Sequence, residues 1–331
     1  MLHPYARTSR GSWDNLCGWA HGEARKVPGS AIPLPRFVVF GEALTDFVRT
    51  GEDRWTSAAG GACWNVARVA ATLGVPTAWA GAVSDDLFGH DLVAKSEAAG
   101  LDPRFRQVVA RPPLIAVVHR TDPPQYFFLG TGTADLAFDD TRLPAGWQDA
   151  CEVAHFGCIS LVRQPLGMRL EAIAADLKRR GVAISFDPNV RNLMGPDYPA
   201  LFERMARLAD VIKVSDEDLA HIYPDAPPDA SLARVRTFAP AATILLTRGA
   251  RGITLMTPHG EHAQPAFAVE VADTVGAGDA SIAGFLASRL LAAQRDDTAH
   301  VRFAAATAAA VCTRSGAHAP SRVEVEALLA R

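Results

Sequence analysis

The residues with the clearest chemical content are Asp273-Thr274-Val275-Gly276-Ala277-Gly278-Asp279. Small residues in a turn let backbone N–H groups approach an anion closely. Beyond the turn Ile282, Phe285, Leu286 and Leu290 share one helical face, so the glycines open a helix whose dipole also favours negative charge. A carboxylate beside a site that would hold an anion needs a reason. Asp279 has one if it meets the hydroxyl of a phosphoryl acceptor and takes its proton as general base, while the N–H groups of Gly276, Ala277 and Gly278 hold the transferring group. In an isolated G-x-G-D the same Asp would only cap the helix. A second group lies upstream. Asp46 is read at the end of the first strand and Asn65 in the first turn of the following helix. An acceptor-only carboxylate and a donor–acceptor amide together suit a hydroxyl-rich ring, and Gly60 and Gly61 leave room for it. Taken singly, Asp46 reads first as a strand-end cap and Asn65 as a helix N-cap.

These residues need elements to bring them together, and the apolar pattern predicts which. Phe37–Phe40, Thr77–Val83, Val153–Ile159, Val182–Phe186, Val211–Val214 and Thr243–Leu246 read as buried strands. Between them Val66, Val69, Ala70 and Leu73, and later Leu170, Ile173, Ala174 and Leu177, take helical spacing. That alternation predicts βαβ units and an α/β fold with a mostly parallel sheet between helices. Segments at about 47–58 and 105–135 break the alternation. They read as antiparallel strands, with a turn at Thr121-Asp122-Pro123-Pro124, forming a small β-sheet lid outside the main sheet. Residues 1–36 mix Gly, Pro, Ser and Arg without period and are expected to be a flexible extension, leaving 37–331 as the domain.

Composition narrows the function. The 331 residues carry 33 Lys+Arg against 36 Asp+Glu, a net charge of −3, so neither nucleic acid nor an anionic membrane is expected as partner. No apolar run reaches spanning length. The five cysteines are odd in number and form no C-x-x-C pair, which fits a reducing cytoplasm better than a disulfide framework or a zinc site. G-x-x-x-x-G-K-[ST], G-x-G-x-x-G and H-E-x-x-H are all absent, and His155 reads as a packed residue.

The glycine-flanked Asp279 run resembles the C-terminal signature of the ribokinase-like (PfkB) carbohydrate kinases. Gly60-Gly61-Ala62-Cys63-Trp64-Asn65-Val66-Ala67, closing at Leu73-Gly74, resembles their N-terminal signature. Gly41-Glu42-Ala43-Leu44-Thr45-Asp46, Gly81 through Gly89, Phe186-Asp187-Pro188-Asn189-Val190-Arg191, Lys213-Val214-Ser215-Asp216-Glu217-Asp218 and Thr247-Arg248-Gly249-Ala250-Arg251-Gly252 follow in the family's order. The resemblance covers roughly residues 37–331. It implies a three-layer ribokinase-like fold, ATP with Mg²⁺, and transfer of the γ-phosphoryl to a primary alcohol of a sugar. Asp46, Gly60, Gly61, Asn65 and Arg191 would then face the sugar. Arg191 could equally form a surface ion pair.

By the same resemblance Lys213, Ser215, Thr247, Gly249, Gly252 and Gly278 line the nucleotide site, although the glycines of the 247–252 loop also suit an ordinary turn. Ser215 and Asp218 stand where the family pattern has Asn and Glu, and Asp218 would reach the magnesium through water. Asp273, Val275, Arg314 and Gly316 resemble the surround of a monovalent cation, K⁺ being the candidate; a glycine turn after a helix reads Arg314–Gly316 as well. The local wording of four segments is most similar to the fructokinase branch, implying D-fructose to fructose 6-phosphate. 2-Keto-3-deoxygluconate kinase is the main rival, followed by ribokinase or nucleoside kinase, and a homodimer through the lid is a family trait. A catalytically silent sugar-binding regulator is the reading of a different class.

Overall fold

Four consecutive apolar residues, Phe37 to Phe40, make a strand that must be covered on both faces, and it is. In the computed structural model, which describes residues 33–121, 124–191 and 193–331, Phe37 and Val39 join one buried cluster while Val38 and Phe40 join another. The chain runs β1 (Phe37–Phe40), β2 (Leu44–Arg49), β3 (Trp55–Gly60), α1 (Ala62–Thr72), β4 (Thr77–Ser84), α2 (Leu87–Ala98) and β5 (Arg106–Val109). It continues with β6 (Ile115–Thr121), β7 (Pro124–Leu129), α3 (Trp147–Ala150), β8 (Val153–Gly157), α4 (Leu166–Arg179), β9 (Ala183–Asp187), α5 (Tyr198–Leu208) and β10 (Val211–Ser215). Last come α6 (Asp216–Ile222), α7 (Pro228–Phe238), β11 (Thr243–Thr247), β12 (Ile253–Thr257), β13 (Gly260–Gln264), α8 (Ala277–Leu291), α9 (Asp297–Cys312) and α10 (Arg322–Leu329).

Nine strands form the main sheet in the order β13-β12-β11-β10-β9-β8-β1-β4-β5. From β11 to β5 neighbours are parallel, and β12 and β13 close one edge as an antiparallel hairpin. Helices α1, α8, α9 and α10 contribute to the first cluster, and α4, α5 and α7 to the second, giving an α/β/α architecture. β1 lies in the middle, with later strands added on both sides of it. The order therefore reverses at β1 and β8, the position where open α/β sheets leave a crevice beyond the strands' carboxyl ends. Helix α8 is buried on nearly every side, from Asp279 to Ser288, because α1 and α9 flank it within the same cluster. Among the described residues no helix is long and apolar enough to cross a membrane.

The lid differs from the expectation in three respects. Its four strands run β3-β2-β6-β7, but β2 and β6 pair in parallel, so the sheet is mixed. Arg106–Val109, expected in the lid, instead adds parallel to β4 as the edge of the main sheet. Asp46 stands within β2 of the lid and not at the end of β1. The expected turn at Asp122-Pro123 lies outside the described residues, as do residues 1–32 of the extension. Its last residues already join the body: Leu34 is buried, and Arg36 ion-pairs with Glu152. The lid returns to the body at Gly130, where Arg163 donates to the Gly130 carbonyl at 2.7 Å and to Asp135 at 2.7 Å.

Candidate active site

The crevice collects polar residues from five strand ends. Glu42 follows β1, Cys158 follows β8, Asp187 ends β9, Ser215 ends β10 and Thr247 ends β11. Ser215 and Thr247 are register partners. Opposite them lies the start of α8. Gly276 is its N-cap, at φ 81 in the left-handed region, and a side chain there would press on Ala317. Asp279 is therefore in the first turn and not the cap. Its carboxylate is buried and accepts from Asn65 Nδ2 at 2.9 Å and from Asn189 Nδ2 at 3.4 Å. Burial pushes the Asp279 carboxyl above its ordinary value, against the Asn65 hydrogen bond and the charges of Lys213 and Arg191, which strengthens it as a base.

The glycine turn in front of Asp279 is half-open to solvent. Of its three expected amide donors, Ala277 is already engaged, since its N–H donates to Thr274 O at 3.2 Å. Gly276 and Gly278 keep their N–H groups without a protein acceptor among the described residues, so two amides of the turn are free to meet an anion. Beneath it sits the ammonium of Lys213, which a Cβ on Gly278 would approach to 3.2 Å. Lys213, expected at the nucleotide site, is buried and paired with Asp187 at 3.2 Å and Asp218 at 3.8 Å. Despite its burial, the charges of Asp187, Asp218 and Asp279 hold its pKa above the ordinary value, so a fixed positive charge underlies the turn.

Asp46 and Asn65 bound the other side. Asn65 lies in the first turn of α1, but Gly61 is the N-cap, at φ 113. The Asn65 Oδ1 atom is buried without a hydrogen-bond partner. Gly60 lets the Asp46 carboxylate lie flat against the chain, since a Cβ there would come within 2.3 Å of Asp46 Oδ2. Burial raises Asp46 to about 7, with Arg191 opposing and Asp279 and Glu42 adding to the rise. The Arg191 guanidinium forms no ion pair among the described residues. It bonds the Asn189 and Val190 carbonyls and lies 5.5 Å from the Tyr126 ring centroid. An orphaned amide oxygen, a carboxylate without a protein donor and a guanidinium without an ion pair are groups that hydroxyls can satisfy.

Four of the expected site residues, Ser215, Asp218, Gly252 and Arg314, also make structural contacts of their own. Ser215 and Asp218 form a reciprocal cap on α6, Ser215 Oγ taking the Asp218 N–H at 2.9 Å while Asp218 takes the Ser215 N–H at 2.9 Å. The other Asp218 oxygen accepts from Val190 N at 2.8 Å. Although buried, Asp218 is kept below its ordinary pKa by Lys213 and these backbone donors. Gly252, at φ 89, serves the chain's own closure, because a Cβ would meet Gln264 O at 2.2 Å, whereas Gly249 is open to approach. Asp273 receives Val275 N at 3.1 Å and Gly316 N at 2.8 Å, which brings Asp273, Val275 and Gly316 together. Arg314 points its charge elsewhere, to Glu324 at 2.7 Å.

Two residues of the floor had no assigned role from sequence. Asn189, at φ 39, contacts Asp279 directly. Glu42 is 1% exposed and accepts from Ala62 N at 3.1 Å and Ser160 Oγ at 2.6 Å, tying β1 to α1 and to the segment after β8. His155 is a core residue bonded to Ser185 at 2.9 Å, and burial lowers its pKa to about 3.

A buried carboxylate behind a phosphate-sized glycine turn, at the switch point of an open α/β sheet, defines a phosphotransferase acting on a small hydroxylated molecule. The family comparison agrees: the pfkB family carbohydrate kinase model matches residues 35–324, and the chain belongs to that family. It is 36% identical over 256 residues to a fructokinase of Rhizobium leguminosarum bv. trifolii, covering 75% of this chain and 78% of that one. The fold matches fructokinase from Vibrio cholerae O395 in its fructose-, ADP- and calcium-bound form, with TM-score 0.80 and 26% identity over 89% of this chain and 99% of that one. Aminoimidazole riboside kinase from Salmonella enterica, complexed with aminoimidazole riboside and an ATP analogue, matches with TM-score 0.78 and 26% identity over 88% and 99%. The ribokinase-like fold and the carbohydrate kinase activity stand on these findings, which set aside the silent regulator.

Proposed function

We propose that the chain transfers the γ-phosphoryl of ATP to D-fructose, giving fructose 6-phosphate. The observation that carries the reading is the set of uncommitted groups around Asp279: Asp46, Asn65 Oδ1 and Arg191. The fructokinase relatives support the choice of sugar. Asp46 and Asn65 accept and orient sugar hydroxyls, and Asp279 takes the proton of the attacking primary hydroxyl. Gly276 and Gly278 N–H groups, with Lys213 beneath, stabilise the charge on the transferring group. The lid, whose inner face carries Asp46 and Tyr126, excludes water. Thr247 and Gly249 border the nucleotide.

The donor set suits a divalent ion only through water. Both Asp218 oxygens already take backbone donors, and no group of three or more His, Cys, Asp or Glu among the described residues is placed to hold a metal directly. Asp218 would hold magnesium through water beside the nucleotide, where the ion would offset the charge of the phosphates. The Asp273, Val275, Arg314 and Gly316 segment would hold K⁺, so K⁺ in place of Na⁺ at fixed ionic strength should raise turnover, and equal rates would remove that site. The outer lid face exposes Trp55, Phe127 and Leu129. Trp55 and Leu129 border a hollow of about 380 Å³ with Phe47, Ile115 and Val117, and this face would pair two copies in the cytoplasm.

A second reading has one specific observation behind it: the unpaired Arg191 would suit the carboxylate of 2-keto-3-deoxygluconate. ADP release by purified protein with MgATP and a panel of fructose, 2-keto-3-deoxygluconate, ribose and nucleosides decides. Fructose is expected to give the highest kcat/KM, and a clear preference for another acceptor overturns the assignment.

A further inference from the structure

Helix α1 reaches the phosphate turn at two points. Asn65 donates to Asp279 Oδ2 at 2.9 Å. One turn later Arg68 sends Nη1 to the carbonyl of Ala317 at 3.2 Å. Ala317 is the residue that backs Gly276: a Cβ on Gly276 would lie 3.3 Å from the Ala317 Cβ. The preceding residue, Gly316, donates its N–H to Asp273 Oδ2 at 2.8 Å. The segment after α9 is thus the rear wall of the turn, held by Asp273 on one side and by Arg68 on the other.

The setting of Arg68 argues that this bond is its purpose. Its guanidinium lies 4.3 Å from the Trp64 ring centroid, and Trp64 is anchored in turn by Nε1 donating to Ser96 Oγ of α2 at 2.9 Å. Arg68 Nε is buried with no partner. An aliphatic side chain would fill the same space without desolvating a charge. What only the guanidinium supplies is a charged donor held over an indole and aimed at one carbonyl.

We propose that Arg68 is a positioning residue for phosphoryl transfer: it couples the acceptor-holding helix α1 to the wall behind Gly276, keeping Asp279 and the Gly276–Gly278 amides in register. It touches neither substrate. The inference rests on the kinase reaction and not on the choice of sugar, so the assay uses MgATP with whichever sugar of the panel is turned over fastest.

The test compares the full chain with Arg68→Met, which keeps the stem over Trp64 but has no donor, and Arg68→Lys, which keeps a charged donor. For Arg68→Met kcat should fall about tenfold or more, the scale on which loosened preorganisation acts. The acceptor KM should stay within twofold and melting should shift little. Arg68→Lys should recover at least half of the lost turnover. An Arg68→Met kcat within twofold of wild type overturns the proposal, and so does a loss that Arg68→Lys shares in full. If the Met variant does not fold, Arg68→Gln, too short to hold Ala317 O from the same backbone, takes its place with the same expected loss and the same overturning results.

Discussion

The floor of the site and its lid hold their carboxylates in opposite ways. On the floor every buried carboxylate is engaged: Asp279 by Asn65 and Asn189, Asp187 by Lys213, Asp218 by two backbone amides, Glu42 by Ala62 and Ser160. In the lid Asp46 receives no hydrogen bond from any described residue, although burial has raised its pKa to about 7. A half-buried carboxylate without protein donors is only partly solvated, and the hydroxyls of a sugar are donors it can take. The floor is preorganised for charge developing in transfer, and the lid is completed by its ligand.

Breaking the floor should cost most. Lys213→Met removes the cation that, among the described residues, pairs with Asp187 and Asp218 and leaves these buried carboxyls uncompensated, a loss of about 3 to 5 kcal/mol in stability; chemical unfolding measures it. Breaking the lid should leave stability nearly intact. Gly60→Ala drives a methyl into the space of Asp46 Oδ2, so the acceptor KM should rise about tenfold, equivalent to about 1.4 kcal/mol, while the ATP KM holds. The smallest effect sharpens the contrast through pH. With a pKa raised to about 7 by burial, and with Arg191, Asp279 and Glu42 as its charged neighbours, Asp46 is protonated in the free protein below that pH. Acceptor binding needs it ionised, so the acceptor KM should improve as pH rises through about 7, and Asp46→Asn should flatten that inflection. For stability the sign is opposite. The folded state keeps this proton after the unfolded chain has lost it near 3.8, so the Asp46 contribution declines between about pH 4 and 7.

Much of the floor was legible because its signals are local. The glycines before Asp279 and the helical spacing beyond it lie within one short stretch, and the buried strand runs require a doubly covered sheet. The lid was harder. Arg106–Val109 has the length and composition of a lid strand, and only its partner β4 assigns it to the main sheet. The parallel pairing of β2 with β6 depends likewise on a non-local partner. Ser215 and Asp218 carry a legible capping pattern, S-x-x-D before an apolar turn, which the structure forms. Glu42 and Asn189 lie within motifs and Arg68 within the N-terminal signature, but nothing local marks what each of them bonds. Their partners Ser160, Asp279 and Ala317 lie 118, 90 and 249 residues away along the chain.

The most direct test of the account is Asp279→Asn. The amide keeps the size of the carboxylate but cannot take the hydroxyl proton, and Asp279 is not the cap of α8. Turnover should fall on the order of 10² to 10⁴, about 3 to 5 kcal/mol in the barrier, with melting and sugar affinity close to wild type. An Asn variant that folds, binds sugar and phosphorylates it at near wild-type kcat would contradict the assignment of Asp279 as the base.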